Sequence, residues 1–310
     1  MKLSRTRDSL PRLAGPAGSV LTIGAYDGLH LGHRRILDRV MAEASALGAD
    51  PVVMSFEPTP KEFFSGERPP ARLMRFREKF RALRDYGIRG FFCPRFDRRM
   101  AGIGVSEFVD GLLVEGLRVR HLVVGDDFRF AKRRSGGVED LIRAGERAGF
   151  NVEQVPSVVV DGVRVSSSAV REALAAGDME QARRFLGRYY QMCGRVIRGR
   201  RLGRSLGYPT ANVDLCRRQS PVMGIFAVRV AGLGEETLDG VASVGTRPTV
   251  DGTKPLLEVH LFDFDEEIYG RYISVEFIAK LRDEARFPDL DALTEQMHLD
   301  AAQAREILAA

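Results

Sequence analysis

The chain contains no tryptophan, three cysteines, and six lysines among its 47 basic residues. Cys93, Cys193 and Cys216 are odd in number, far apart and free of any CxxC spacing. That argues against a disulfide framework and against a cysteine zinc site. No apolar run approaches the roughly 18 residues that a membrane span requires. The opening MKLSRTRDSLPRLAGPAGSV is basic but lacks the apolar middle of a signal peptide. The expectation is a cytoplasmic protein with no membrane partner. Also missing is G-x-x-x-x-G-K-[ST], since no Gly-Lys pair occurs anywhere in the chain. A P-loop is therefore excluded, and the protein-kinase motif set is absent too.

Charge of one sign is present without being concentrated. The net charge is +5, which suits anionic partners. A nucleic-acid footprint clusters its cations, but here no block of five like charges and no basic tail occurs. The arginine-rich balance reads as a bulk property, and no nucleic-acid partner is expected.

What is there is ordinary globular material. The 310 residues are 44% hydrophobic and 29% charged, enough for two domains with their own cores. SVLTIG, DPVVMSFEP, GFFCPRF, RHLVVGDDFRF and NVEQVPSVVV read as strands. They alternate with helical stretches such as LGHRRILDRVMAEASALGA, where Ile36, Leu37, Val40 and Met41 share helical spacing. SEFVDGLLVEGL reads as a further helix. Such alternation predicts a parallel α/β sheet with ligands at the carboxyl ends of its strands. After about residue 187 the pattern changes to short strands between Gly, Pro and Asp turns, closed by a helical DLDALTEQMHLDAAQAREILA. This half predicts a small β-barrel with a terminal helix. The expected division is 1–186, including a helical linker from about 174, and 187–310.

Chemistry is concentrated in a few segments. GAYDGLHLGH, residues 24–33, places two of the chain's five histidines in a glycine-punctuated turn between a strand and a helix. The unpaired N–H groups and positive dipole end of that helix suit a phosphate. Gly28 and Gly32 permit close backbone approach, while His30 and His33 can project together at charge building on an α-phosphate. The plainer alternative is one histidine capping the helix and the other solvated. Asp27 can orient the turn through backbone hydrogen bonds. RVSSSAVR, residues 164–171, offers Arg164, Ser166, Ser167 and Arg171 for a triphosphate, or merely an N-cap serine among surface arginines. In GYPTAN, the Thr210 hydroxyl and Asn212 amide oxygen are hard ligands two apart that can share Mg2+ with ATP, or form an unremarkable turn. In LLEVHLFDF, Leu257, Val259 and Leu261 alternate on one face, putting Glu258 and His260 on the other. A carboxylate there is either a general base or a solvated surface glutamate. His121 and His298 have no motif around them and read as structural.

GAYDGLHLGH resembles the HxGH signature of α/β nucleotidyltransferases. VVGDDFRF, RVSSSAVR, SFEPTP and REKFRALRDYGI resemble the adenylyltransferase half of bacterial bifunctional riboflavin kinase/FAD synthetases. GYPTAN, ASVGTRPT, LLEVH and LRDEARF resemble the riboflavin kinase half, so the resemblance covers about residues 15–305. It implies a Rossmann-like nucleotidyltransferase domain followed by a riboflavin-kinase barrel. The kinase would use ATP to turn riboflavin into FMN, and the adenylyltransferase would then turn FMN into FAD and pyrophosphate, both with Mg2+. The resemblance implies Glu258, His30, His33 and Arg171 as catalytic. It places Gly24, Asp27, Gly28, Asp127, Arg164, Ser166, Ser167, Gly203, Arg247 and Arg282 at substrate or nucleotide, with Thr210 and Asn212 as metal ligands. Beyond flavins and ATP, weak self-association is the one partner carried forward. Three positions depart from the family pattern: Thr59 for a usual histidine, Ala131 for a usual glycine and Tyr26 for a usual phenylalanine.

Overall fold

The computed structural model describes residues 1–66, 69–199, 207–249 and 252–310. The chain divides into two compact units, residues 1–70 with 74–165, and residues 71–73 with 166–310.

In the first unit six strands form one sheet: β1 (Lys2–Ser4), β2 (Ser19–Ile23), β3 (Asp50–Met54), β4 (Gly90–Phe92), β5 (Val119–Gly125) and β6 (Asn151–Val155). Their order is β1-β4-β3-β2-β5-β6 and every pairing is parallel. Parallel neighbours need crossovers, supplied here by α1 (Leu31–Leu47), α2 (Pro60–Phe64), α3 (Phe76–Asp85), α4 (Arg98–Ala101) and α5 (Val138–Ala148). Both faces are buried, which is why the strands read as unbroken apolar runs. Leu21 and Ile23, Val52 and Met54, and Leu122 and Val124 pack on one side with Leu112, Leu113 and Leu141. Their neighbours Val20, Val53 and Val123 pack on the other with Leu37, Val40 and Leu83.

From β2 the sheet grows one way through β3 and β4 and the other way through β5 and β6. The crevice at this reversal, at the carboxyl ends of β2 and β5, is where such sheets bind ligands. The GAYDGLH turn leaves β2 there, and α1 begins at its far side. The predicted end of α1 is also found: Gly48, at φ 61°, caps it in the left-handed region.

Three local differences from the sequence reading have physical causes. β1 is only three residues at the sheet edge with Leu3 exposed, too short to show periodicity. The single strand read over 151–160 stops at Val155, because Pro156 has no N–H to give a ladder. Past the proline the chain forms a separate hairpin, β7 (Val159–Val160) with β8 (Val163–Arg164). The helix expected at 106–117 forms over Glu107–Gly116 with wide turns, the Leu117 N–H reaching the Leu112 carbonyl at 2.9 Å.

The second unit opens with α6 (Ser167–Ala176) and α7 (Met179–Leu186). A closed antiparallel barrel comes next: β9 (Tyr190–Ile197), β10 (Ala211–Asp214), β11 (Gly224–Ala231), β12 (Leu238–Thr249), β13 (Gly252–Leu261) and β14 (Tyr272–Arg282), ordered β10-β13-β12-β11-β14-β9. Alternate residues fill it, including Val228, Val230, Leu257, Val259, Ile273 and Val275, all completely buried. Phe226 and Phe277 meet edge to face, 5.2 Å between centroids. The terminal helix α8 (Leu290–Ala309) lies against the outside, setting Ala304 and Leu308 on Ala227 and Phe262.

Candidate functional site

Two constellations emerge, one in each unit. In the first, three residues of the turn adopt positive φ: Tyr26 at 49°, Gly28 at 90° and Leu29 at 46°. Only glycine takes such angles without cost, which explains Gly28. Tyr26 is held by a 2.6 Å hydrogen bond with the Thr22 hydroxyl, and its burial pushes the phenol far above the usual range. Gly24 packs under the Tyr26 ring, where a Cβ would come within 3.0 Å of it. Asp27 is buried and accepts the Met74 N–H at 2.8 Å, so it fixes the turn.

His30 is the N-cap of α1, its Nδ1 accepting the His33 N–H at 3.4 Å. With Nδ1 accepting, a neutral His30 ring carries its proton on Nε2. The two rings stack 3.7 Å apart at 22°, so the structure does bring the pair together. Burial first, then His30, then the charge of Lys79 hold the His33 imidazole well below its usual pKa. His33 is therefore neutral near pH 7, a hydrogen-bonding group and not a cation. Its Nδ1 is buried with no hydrogen-bond partner among the described residues. Lys79 went unremarked in the sequence. It is buried on α3 and donates from Nζ to the Ala25 carbonyl at 2.5 Å, inside the turn. The signal that could have found it is a lysine three residues after an apolar phase position, Phe76, on an otherwise amphipathic helix.

At the neighbouring strand end, Arg164 pairs with Asp127 at 2.9 Å and Asp126 at 3.2 Å, and donates from Nε to the Ser157 hydroxyl. Asp126 sits below the ordinary carboxylate range because Ser157 hydrogen-bonds it, with Arg164 adding to the effect. Asp126 and Ser157 are thus positioning partners the sequence did not disclose. Ser166 caps α6, accepting the Ala169 N–H at 3.1 Å. Ser167 opens that helix, and Arg171 donates from Nε to the Ala71 carbonyl at 2.6 Å and from a terminal nitrogen to the Ser167 carbonyl. These three belong to the second unit.

A cavity of about 180 Å³ opens in the first unit, walled by six phenylalanines, Phe56, Phe64, Phe96, Phe108, Phe128 and Phe130, with Arg129 among its lining. Six phenyl rings suit a planar conjugated ring system. The sequence signal was the density of phenylalanine in SFEPTPKEFF and DDFRF, segments read as strand ends and for their family resemblance. Of the three family departures, Ala131 lines the cavity and Thr59 precedes its lining Pro60. Thr59 caps α2, accepting the Glu62 N–H while Glu62 accepts the Thr59 N–H. Ala131 keeps φ at 63°, an angle natural to the glycine it replaces and strained for alanine.

In the barrel, antiparallel pairing sets Asn212 of β10 directly opposite Glu258 of β13, so their side chains share one face. That face is the outward one, because Leu257 and Val259 fill the interior. Asn212 is buried, and its amide lies so close to the Gly199 backbone that no side chain fits at Gly199. Thr210 stands one residue before the ladder and lines a second cavity, of about 250 Å³, together with Phe264, Asp265, Glu267 and Tyr269. Arg282 makes a bidentate pair with the buried Asp300 of α8, at 2.9 and 2.7 Å. Arg247 lies on β12 opposite Lys254, its side chain outside the described part, and Gly203 lies outside the described residues altogether.

Known proteins fit this two-part geometry. A family model described as FAD synthetase matches residues 14–169, and one described as riboflavin kinase matches residues 186–308. The bifunctional riboflavin kinase/FMN adenylyltransferase of Escherichia coli is 47% identical over 306 residues, covering 99% of this chain and 97% of that one. Those of Pseudomonas fluorescens and Haemophilus influenzae are 46% and 43% identical, each covering 94% of the relative and 94% and 93% of this chain. A solved structure described as a macrolide-efflux protein from Streptococcus pneumoniae aligns over 98% of both chains at 26% identity, with a TM-score of 0.82. No described helix here is long and apolar enough to cross a membrane. With both halves matched in order and the relatives matched end to end, the chain belongs to the bifunctional riboflavin kinase/FMN adenylyltransferase family.

Proposed function

We propose that the two activities of this enzyme are run by independent constellations, residues 1–186 acting in adenylylation and 187–310 in phosphorylation. The observation that carries the reading is that the His30–His33 stack and the Asn212–Glu258 pair fall in different compact units. The enzyme phosphorylates riboflavin with ATP to give FMN, then joins AMP from ATP to FMN, giving FAD and pyrophosphate. The family-model limits leave residues 170–185, most of α6 and α7, between the two matched segments.

In phosphorylation, the Glu258 carboxylate takes the proton of the riboflavin 5′-hydroxyl. The oxygen bonds to the γ-phosphorus of ATP as the bond to ADP breaks. Thr210 and Asn212 fit Mg2+ brought in with the nucleotide, because both are hard oxygen donors. Among the described residues no group of three His, Cys, Asp or Glu forms a protein cage. A site of this kind leaves most positions to phosphate and water. When bound, the ion offsets the charge of the transferring phosphates. The cavity beside Thr210, with its acidic rim, suits the adenosine end through ribose hydroxyls donating to Asp265 and Glu267.

In adenylylation, an FMN phosphate oxygen attacks the α-phosphorus and pyrophosphate leaves. His30 through Nε2, neutral His33 and the turn amides meet the charge that builds there. Asp27, Gly28 and Gly24 shape the turn, while Asp127 with Arg164 faces nucleotide or flavin. The phenylalanine-walled cavity takes the isoalloxazine ring. For Ser166, Ser167, Arg171, Gly203, Arg247 and Arg282 the substrate roles rest on the resemblance alone. A cytoplasmic location and weak self-association complete the reading. A chromatographic time course with riboflavin, ATP and Mg2+ tests it. FMN should rise first and pass into FAD, and FAD without transient FMN would contradict separate sites.

A further inference from the structure

His260 is a polar group near the kinase constellation to which no role has been given. It follows Glu258 by two residues on β13, so both side chains leave the same face. Its Nδ1 lies 2.9 Å from the Pro209 carbonyl oxygen. A carbonyl only accepts, so Nδ1 carries the proton and donates. The neighbouring Tyr208 ring meets His260 edge-on, 4.9 Å between centroids, and its hydroxyl hydrogen-bonds Nδ1 of His298 on α8 at 2.5 Å.

These ties act where the ladder does not. Pairing of β10 with β13 starts at Ala211 opposite Val259, and Pro209 has no N–H to extend it. Thr210 therefore stands outside the sheet hydrogen bonds, although its hydroxyl must keep register with Asn212 and Glu258. We infer that His260 is a positioning residue for phosphorylation: its Nδ1–H holds the Pro209 carbonyl and thereby sets Thr210 against Glu258, with Tyr208 braced by His298 from the terminal helix. The inference rests on the reading of Thr210 and Asn212 as metal ligands.

An isosteric pair of variants tests it, because an asparagine amide nitrogen reaches the place of Nδ1 whereas a glutamine amide nitrogen reaches that of Nε2. In His260→Gln, amide hydrogen exchange at 210–212 of the metal-free enzyme should quicken at least tenfold, and half-saturating Mg2+ for FMN formation should rise about tenfold. His260→Asn should recover most of both. Adenylylation of supplied FMN should be unchanged in the pair, which serves as the folding control. Before any variant is made, nitrogen-15 spectra of the imidazoles in the metal-free enzyme should show His260 protonated at Nδ1. A proton on Nε2 alone, or equal exchange rates in the two variants, overturns the tether. Thr210→Ala separates the underlying reading. If that variant keeps wild-type Mg2+ dependence while His260→Asn and His260→Gln still differ in exchange, the tether stands and the metal-ligand assignment of Thr210 falls.

Discussion

The constellations proposed for adenylylation and for phosphorylation are built in opposite ways. The first lies within ten consecutive residues, its geometry held by three positive φ angles, a helix cap and an aspartate pinning the turn. The second is assembled across strands, Asn212 and Glu258 becoming neighbours only when β10 and β13 pair. A contiguous turn can be recognised as a site from its own letters. A cross-strand site consists of residues that each look ordinary until the register between them is known.

The sharpest way to break the comparison is to disable one constellation and read the other. Glu258→Gln removes the proton acceptor and should lower FMN formation by about 10³-fold, with adenylylation of supplied FMN intact. His30→Ala should do the reverse, costing adenylylation about 10²-fold while riboflavin phosphorylation proceeds. Chromatographic rates with riboflavin or FMN as the starting flavin check both. Equal loss of the two activities in either variant would refute separate sites.

A smaller effect separates structure from ligand binding at Arg282. Its bidentate bond to Asp300 joins β14 to α8 inside the second unit. Arg282→Met leaves a buried carboxylate without its cation and should destabilise by about 3 kcal/mol in denaturant unfolding. Unchanged stability with weakened riboflavin affinity would instead assign Arg282 to the flavin.

His33 sharpens the comparison through pH. Its folded pKa is lowered while the unfolded value stays near 6.5, so below that pH the unfolded chain binds the extra proton. Stability is therefore full above about pH 6.5 and falls on acidification, by up to about 1.4 kcal/mol per pH unit from this one group. Thermal unfolding between pH 5 and 8 should show that slope, and His33→Gln should flatten it. The smallest expected effect is at Ala131, where glycine relieves the φ of 63°. Ala131→Gly should stabilise by about 1 kcal/mol in thermal or denaturant unfolding.

The parallel sheet was legible because burial on both faces writes apolar runs between helical periods, and the barrel because one buried face writes alternation. So was the turn between β2 and α1, since a strand, glycines and two histidines fall within one short stretch. At His30 the plainer reading, a helix cap, is what the fold shows, Nδ1 accepting the His33 N–H, and the catalytic role is the one proposed. Glu258 and Asn212 were named through resemblance, each being mundane as a bare letter. Lys79, Asp126 and Ser157, the six phenylalanines of the cavity, and the His260–Pro209 bond came from the fold alone. Their partners lie 7 to 54 positions away along the chain, as with Arg164 and Ser157 or Lys79 and Ala25. Hydrophobic period and turn chemistry are local properties that a sequence determines by itself. Which buried charge meets which carbonyl depends on strand order and register, and those exist only once the chain has closed on itself.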